Sequence, residues 1–128
     1  MNTYKFKKLE VWQKAIKFVS EIYNLTSKFP ISERFGLCDQ LRRAAVSIVL
    51  NIAEGSGSGS DPEFARFLRI AQRSAFEVIA GLEIAYNLKF INSSDLEKIT
   101  EQCNSISAML GGLIRKINSD HRSISEKE

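Results

Sequence analysis

The residues of this sequence whose type and spacing could do chemistry are mostly arginines. Arg66, Arg69 and Arg73 follow one another at three- and four-residue intervals, and Arg42 and Arg43 stand side by side. On a helix the first three fall within an arc of about 60°. Guanidinium groups bind phosphates through planar, often bidentate contacts, so such a row suits a nucleic-acid backbone. The other reading is structural: solvated helix surface and inter-helix ion pairs with Glu54, Glu77 or Glu83. No basic tail or recognition helix accompanies the row, and no aromatic residues interleave it as a stacking platform requires. The arginines therefore predict at most a weak, sequence-independent contact with RNA or DNA.

The catalytic inventory is thin. His121 is the only histidine and falls in a polar C-terminal stretch. A histidine-rich metal site is excluded, a Ser-His-Asp arrangement is disfavoured, and no Glu-x-x-His pair is present for a bundle di-metal centre. The run Gly55-Ser56-Gly57-Ser58-Gly59-Ser60 resembles a phosphate loop only in composition, because it lacks the closing Gly-Lys-Ser/Thr. Cys38 and Cys103 match no ligand spacing and have apolar neighbours at helical intervals, so they read as buried free thiols. Near the end of the second apolar segment, Asn51 and Glu54 suit packing, the amide bonding a neighbouring helix and Glu54 pairing with arginine. Trp12 is in phase with Ile16 and Val19 and reads as a core or groove residue. No enzyme activity, metal or cofactor is expected.

Helices must position these groups. The 128 residues allow one domain. Only Pro30 and Pro62 interrupt the chain, and no sustained alternation of the kind a sheet needs occurs. Apolar residues at helical spacing predict helices over about 8–28, 33–54, 61–90 and 94–118, with an N-terminal extension at 1–7 and a polar, fraying tail at 119–128. The expected inner rows are Leu9, Trp12, Ile16, Val19 and Tyr23 on the first helix, and Leu37, Leu41, Ala44, Ala45, Ile48 and Ile52 on the second. Gly55 is expected to end the second helix in a left-handed conformation. Asp61 with Pro62 should open the third, and Ser94 with Glu97 the fourth. Gly81 inside the third helix points to close packing. Short connections make the fold all-α, an antiparallel up-down-up-down four-helix bundle.

That bundle leaves apolar residues without a partner. Val11, Phe18, Ile22 and Leu25 form a second row on the first helix, about 120° from the first. Val46, Val49, Leu50 and Ala53 lie off the inner face of the second. Large exposed apolar patches mark interfaces, so these eight residues are candidates for contact between copies in a homo-oligomer. An unusually wide internal core is the alternative. The net charge of +3 is uneven, since residues 1–60 carry +4, 61–92 balance, and 93–128 carry −1. A polyanion would draw on the first half. No apolar run approaches the ~18 residues that span a bilayer. With no leader-like N-terminus, the expectation is a cytoplasmic protein without a membrane partner.

Three stretches carry a family resemblance: Leu9–Ala15 (LEVWQKA), Gln40–Gly55 (QLRRAAVSIVLNIAEG) and Glu63–Val78 (EFARFLRIAQRSAFEV). They resemble the four-helix-bundle proteins encoded in intervening sequences of bacterial large-subunit ribosomal RNA genes, over about residues 5–118. The resemblance implies an up-down bundle and a homopentameric ring. It extends to the accessory proteins of diversity-generating retroelements, whose similar barrels present positive surfaces to nucleic acid and a reverse transcriptase. The family positions present are Arg42, Arg43, Asn51, Glu54, Arg66, Phe67 and Glu77, with structural or interfacial roles implied and no catalytic one. Two departures stand out. The family's Ile-Pro-Ser-Asn reads Ile48-Val49-Leu50-Asn51 here, and the loop after Gly55 carries only glycine and serine. The first makes the second helix more continuous and its outer side more apolar. The second weakens the nucleic-acid reading. Two functions are expected to compete: a homo-oligomeric scaffold that binds RNA or DNA through arginines, and a scaffold for a protein partner with no nucleic-acid role.

Overall fold

A computed structural model describes residues 4–127, and side chains from Tyr4 to Asp120. A short 3-10 helix at Lys5–Lys8 leads into α1 (Glu10–Thr26). After a second 3-10 turn at Ile31–Glu33 come α2 (Leu37–Ser56), α3 (Asp61–Asn87) and α4 (Ser93–Lys127). Among the described residues, each helix packs on its neighbours in sequence, α1 closes the ring on α4, and the backbones of diagonal helices stay apart across the shared core. The result is an antiparallel up-down-up-down four-helix bundle. The α2–α3 seam is the richest in contacts and the α1–α4 seam the sparsest. An open hollow beside Lys14, Phe18, Gln102 and Ser105 lies along the latter.

Small residues bring α2 and α3 together. Ala44, Ala45, Ala71, Ala75 and Ala85 are fully or almost fully buried. A Cβ on Gly81 would stand 2.6 Å from Leu41 Cδ2, so close packing explains this glycine, as expected. Gly55 serves the same purpose and does not end its helix. It is buried within α2, where a Cβ would stand 2.8 Å from Phe67 Cβ. Ser47 and Ser74 exchange a 2.9 Å hydrogen bond across the same seam.

The caps differ from expectation by a residue or two. Ser60, rather than Asp61, caps α3: its hydroxyl accepts from the Glu63 N–H at 3.3 Å. Asn92 Oδ1 accepts from the Asp95 N–H at 2.8 Å at the start of α4, in place of the Ser94–Glu97 pairing. Lys89, with φ 66°, takes the left-handed conformation that lets the Phe90 N–H reach the Ala85 carbonyl and stop α3. The expected fraying tail continues as helix to Lys127. His121 lies outside the residues with described side chains.

On α1 the assignment of rows is reversed. Val11, Phe18, Ile22 and Leu25, expected at an oligomer interface, are buried in the core together with Ala15. The row from Trp12 through Ile16 and Val19 to Tyr23 stands at the rim, with Ile16 and Tyr23 about two-fifths exposed. Both rows repeat at three and four residues, so periodicity alone does not choose between them. Ala15 chooses, because its small side chain lets α1 settle onto its neighbours along that row. On α2, Val49 is likewise core, whereas Leu50 is 57% exposed and Val46 and Ala53 are half-buried.

Candidate functional site

The reversed phase of α1 creates a groove. Tyr23 shares its lining with Val46, Leu50, Asn51 and Glu54 of α2. Trp12, Ile16 and Val19 continue Tyr23's row along α1 by helical spacing. Of the predicted interface, Val46, Leu50 and Ala53 remain available, and the facing half comes from the α1 row expected inside. Arg42 closes one end of this groove. Its Nε donates to Thr26 Oγ1 at 2.8 Å, and its guanidinium carbon lies 4.5 Å from the centre of the Tyr23 ring. Thr26 is buried and donates onward to the Ile22 carbonyl at 2.7 Å. Arg42 thus ties the end of α1 to α2.

The five arginines do not form one surface. Arg42 belongs to the α1–α2 seam. Arg43 is exposed beside the same groove and pairs with Asp39 of its own helix at 3.0 Å. Arg66, Arg69 and Arg73 are exposed on α3, away from its buried stripe. Arg66 makes two bonds to Glu63, at 3.0 and 3.1 Å, and lies 4.6 Å from the centre of the Phe67 ring. That pairing, through its hydrogen bonds first, holds the Glu63 carboxyl below the usual carboxylate range and raises the arginine. Among the described residues, the ion pairs run within single helices, and none joins an arginine to Glu54, Glu77 or Glu83. Arg69 and Arg73 make no ion pair among the described residues.

The remaining predicted groups are structural. Asn51 Nδ2 donates to the Ser47 carbonyl and hydroxyl of its own helix at 2.8 and 3.0 Å, and Ser47, not Asn51, reaches across to α3. Cys38 and Cys103 are buried free thiols that donate to the Thr26 and Ala75 carbonyls. Burial pushes the Cys103 thiol up to about 12. Among the described residues no group of three or more His, Cys, Asp or Glu side chains is placed to hold a metal ion, and no helix is long and apolar enough to cross a membrane.

Two features were missed from the sequence. Phe76 and Ile84 on α3, and Leu88 at its C-terminal cap, are about half or more exposed. Apolar residues flanking a buried stripe are easily absorbed into it on paper. At the N-terminus, Tyr4 stacks on Phe6 with ring centres 5.8 Å apart, and Phe6 leans on Trp12 at 5.1 Å. The alternation Tyr4-Lys5-Phe6-Lys7 was the available signal.

No curated protein matches the chain. Among solved structures it is similar to a protein with unknown function from the S23 ribosomal protein family of Bacteroides thetaiotaomicron. The TM-score is 0.77 and the identity 27%, over 82% of this chain and 95% of that one. The family described as 23S rRNA-intervening sequence protein matches residues 7–112. Bundle, helix order and sequence agree on one origin, and this chain belongs to the 23S rRNA-intervening sequence protein family.

Proposed function

We propose that this protein is a non-enzymatic scaffold that assembles into a homo-oligomeric ring, a pentamer by family resemblance, and holds RNA or DNA through arginines on its outside. The observation that carries the reading is the α1–α2 groove. Tyr23 and Leu50 leave two-fifths or more of their surface exposed along this groove, and Ile16, on Tyr23's row of α1, is exposed to the same degree as Tyr23. Contiguous exposure of this kind marks an interface. A closed ring is made of head-to-tail contacts, so the groove of each copy would receive a different face of the next copy. Arg66, Arg69 and Arg73 remain as the polyanion surface, while Arg42 is occupied with Tyr23 and Thr26 and Arg43 borders the interface groove. The resemblance to retroelement accessory proteins supports a nucleic-acid partner, and the buried free thiols suit the reducing cytoplasm.

Light scattering at micromolar concentration should give about five times the 14.4 kDa chain mass. Leu50→Asp and Ile16→Asp should yield a helical monomer. A monomeric wild type refutes the assembly. The purified protein should retain a structured RNA in a salt-sensitive manner, and Arg66→Ala/Arg69→Ala/Arg73→Ala should weaken it. Undiminished binding by that triple variant removes the arginine surface.

A second reading, a protein-binding scaffold with no nucleic-acid role, is favoured by the exposed Phe76 and Ile84 on α3 and Leu88 at its cap. Recovery of a stoichiometric partner from the native host, lost on Ile84→Asp, supports it. Recovery of the self-oligomer alone counts against it.

A further inference from the structure

We propose that the N-terminal segment Tyr4–Lys8 is a docking shelf for single-stranded nucleic acid, with an unpaired base stacking on the outer face of Tyr4 and its flanking phosphates meeting Lys5, Lys7 and Lys8. The inference rests on the nucleic-acid part of the proposed function and adds a separate surface and a separate class of strand.

Three observations carry it. The aromatic rings form a graded series from interior to solvent: Trp12 is half-buried, Phe6 leans on it at 5.1 Å, and Tyr4 lies over Phe6 with an interplanar angle of only 12°. Among the described residues the series ends at Tyr4, which is 70% exposed. An exposed, nearly parallel ring at the end of a stack offers a π-face to one more flat ring, and every nucleobase has one. The shelf is also held in place. The 3-10 turn packs on α1 and α2, and Gln13 Nε2 donates to the Lys7 carbonyl at 2.8 Å.

The charge is the third observation. Lys5, Lys7 and Lys8 are all exposed, the turn contains no acidic residue, and none of the three makes an ion pair among the described residues. Lys5 also borders an open hollow with Gly59, Ser60 and Asp61, whose carboxylate repels phosphate and so confines the strand to the lysine side of the shelf. Ammonium groups on flexible stems suit a mobile strand, whereas base stacking selects against a duplex whose bases are already stacked.

The test uses the full-length protein in its native assembly state and two labelled probes, a twelve-uridine RNA strand and a twelve-base-pair RNA duplex, read by fluorescence anisotropy. Tyr4→Ala should weaken the single strand about tenfold and leave the duplex unchanged, as the loss of one base–aromatic stack predicts. Tyr4→Phe and Tyr4→Trp should hold affinity within about twofold. Lys5→Ala/Lys7→Ala/Lys8→Ala should reduce the slope of log affinity against log salt by about 2. Circular dichroism and thermal melting establish that each variant stays folded, which Tyr4, exposed at the chain's edge, makes expected. Unchanged single-strand affinity in Tyr4→Ala overturns the shelf, as does failure of the wild type to hold the strand at low salt. Tighter retention on phosphatidylserine vesicles than on the strand also overturns it, in favour of a lipid surface. Duplex binding through Arg66, Arg69 and Arg73 is read on the other probe, so either surface can fail while the other stands.

Discussion

Several side chains in this bundle act through the room they leave or the backbone conformation they tolerate. Gly55 is the clearest. A methyl group there would meet Phe67 Cβ and Phe64 Cδ1 at 2.8 and 2.9 Å, so Gly55→Ala should destabilise the fold by about 1–3 kcal/mol in urea unfolding. Lys89 is the opposite case. It holds φ 66° where glycine is favoured, and Lys89→Gly should raise stability by about 1 kcal/mol in the same measurement. Cys103 links burial to pH. Its thiol ordinarily ionises near 9, but in the fold not until about 12. Between those values the unfolded chain loses a proton that the native chain keeps, so stability falls with rising pH, by at most about 1.4 kcal/mol per unit. The contribution is fully present below pH 9. Cys103→Ala should flatten that part of the pH–stability curve, with Cys38 left in place. The reading of both cysteines as buried thiols needed only their apolar neighbours. The role of Gly55 was not legible, because a glycine at a helix end and one in a helix crossing look alike until the facing helix is known.

At the scale of the element, α1 shows what periodicity can and cannot establish. That it is a helix followed from two apolar rows and Pro30. Which row faces inward did not follow, because Leu9-Trp12-Ile16-Val19-Tyr23 and Val11-Ala15-Phe18-Ile22-Leu25 repeat equally well. The bundle buries the row containing Ala15, which permits close approach. Phe18→Ala should therefore cost about 3–5 kcal/mol by chemical denaturation. Ile16→Ala should cost under about 1.5 kcal/mol in the isolated protomer, and any larger loss should track the oligomer mass. Equal losses at the two positions would contradict the burial seen here. The inner face of α2 was legible in Leu41, Ala44, Ala45, Ile48 and Ile52, all buried, although Val49, expected outside, joins them. The candidate site was legible only in part: Val46 and Leu50 line the groove, but the α1 residue facing them, Tyr23, came from the row expected inside.

For the whole molecule, the arginines teach the same lesson over longer distances. Sequence spacing grouped Arg42 with Arg43, and both line the groove beside Tyr23, yet only Arg42 bonds across to α1 while Arg43 pairs with Asp39 of its own helix. Adjacent residues on a helix point about 100° apart, so neighbours in sequence find different partners. The four seams are themselves unequal. Alanines and glycines draw α2 and α3 together, whereas α1 meets α4 along the sparsest contact, beside an open hollow. Local opening follows the weakest seam. In native-state amide hydrogen exchange under conditions that keep the protein monomeric, α1 should release its protons through a partial opening, while α2 and α3 should wait for global unfolding. In the assembled form that difference should shrink, because a neighbour seated in the α1–α2 groove would clamp the one helix that the bundle alone holds loosely.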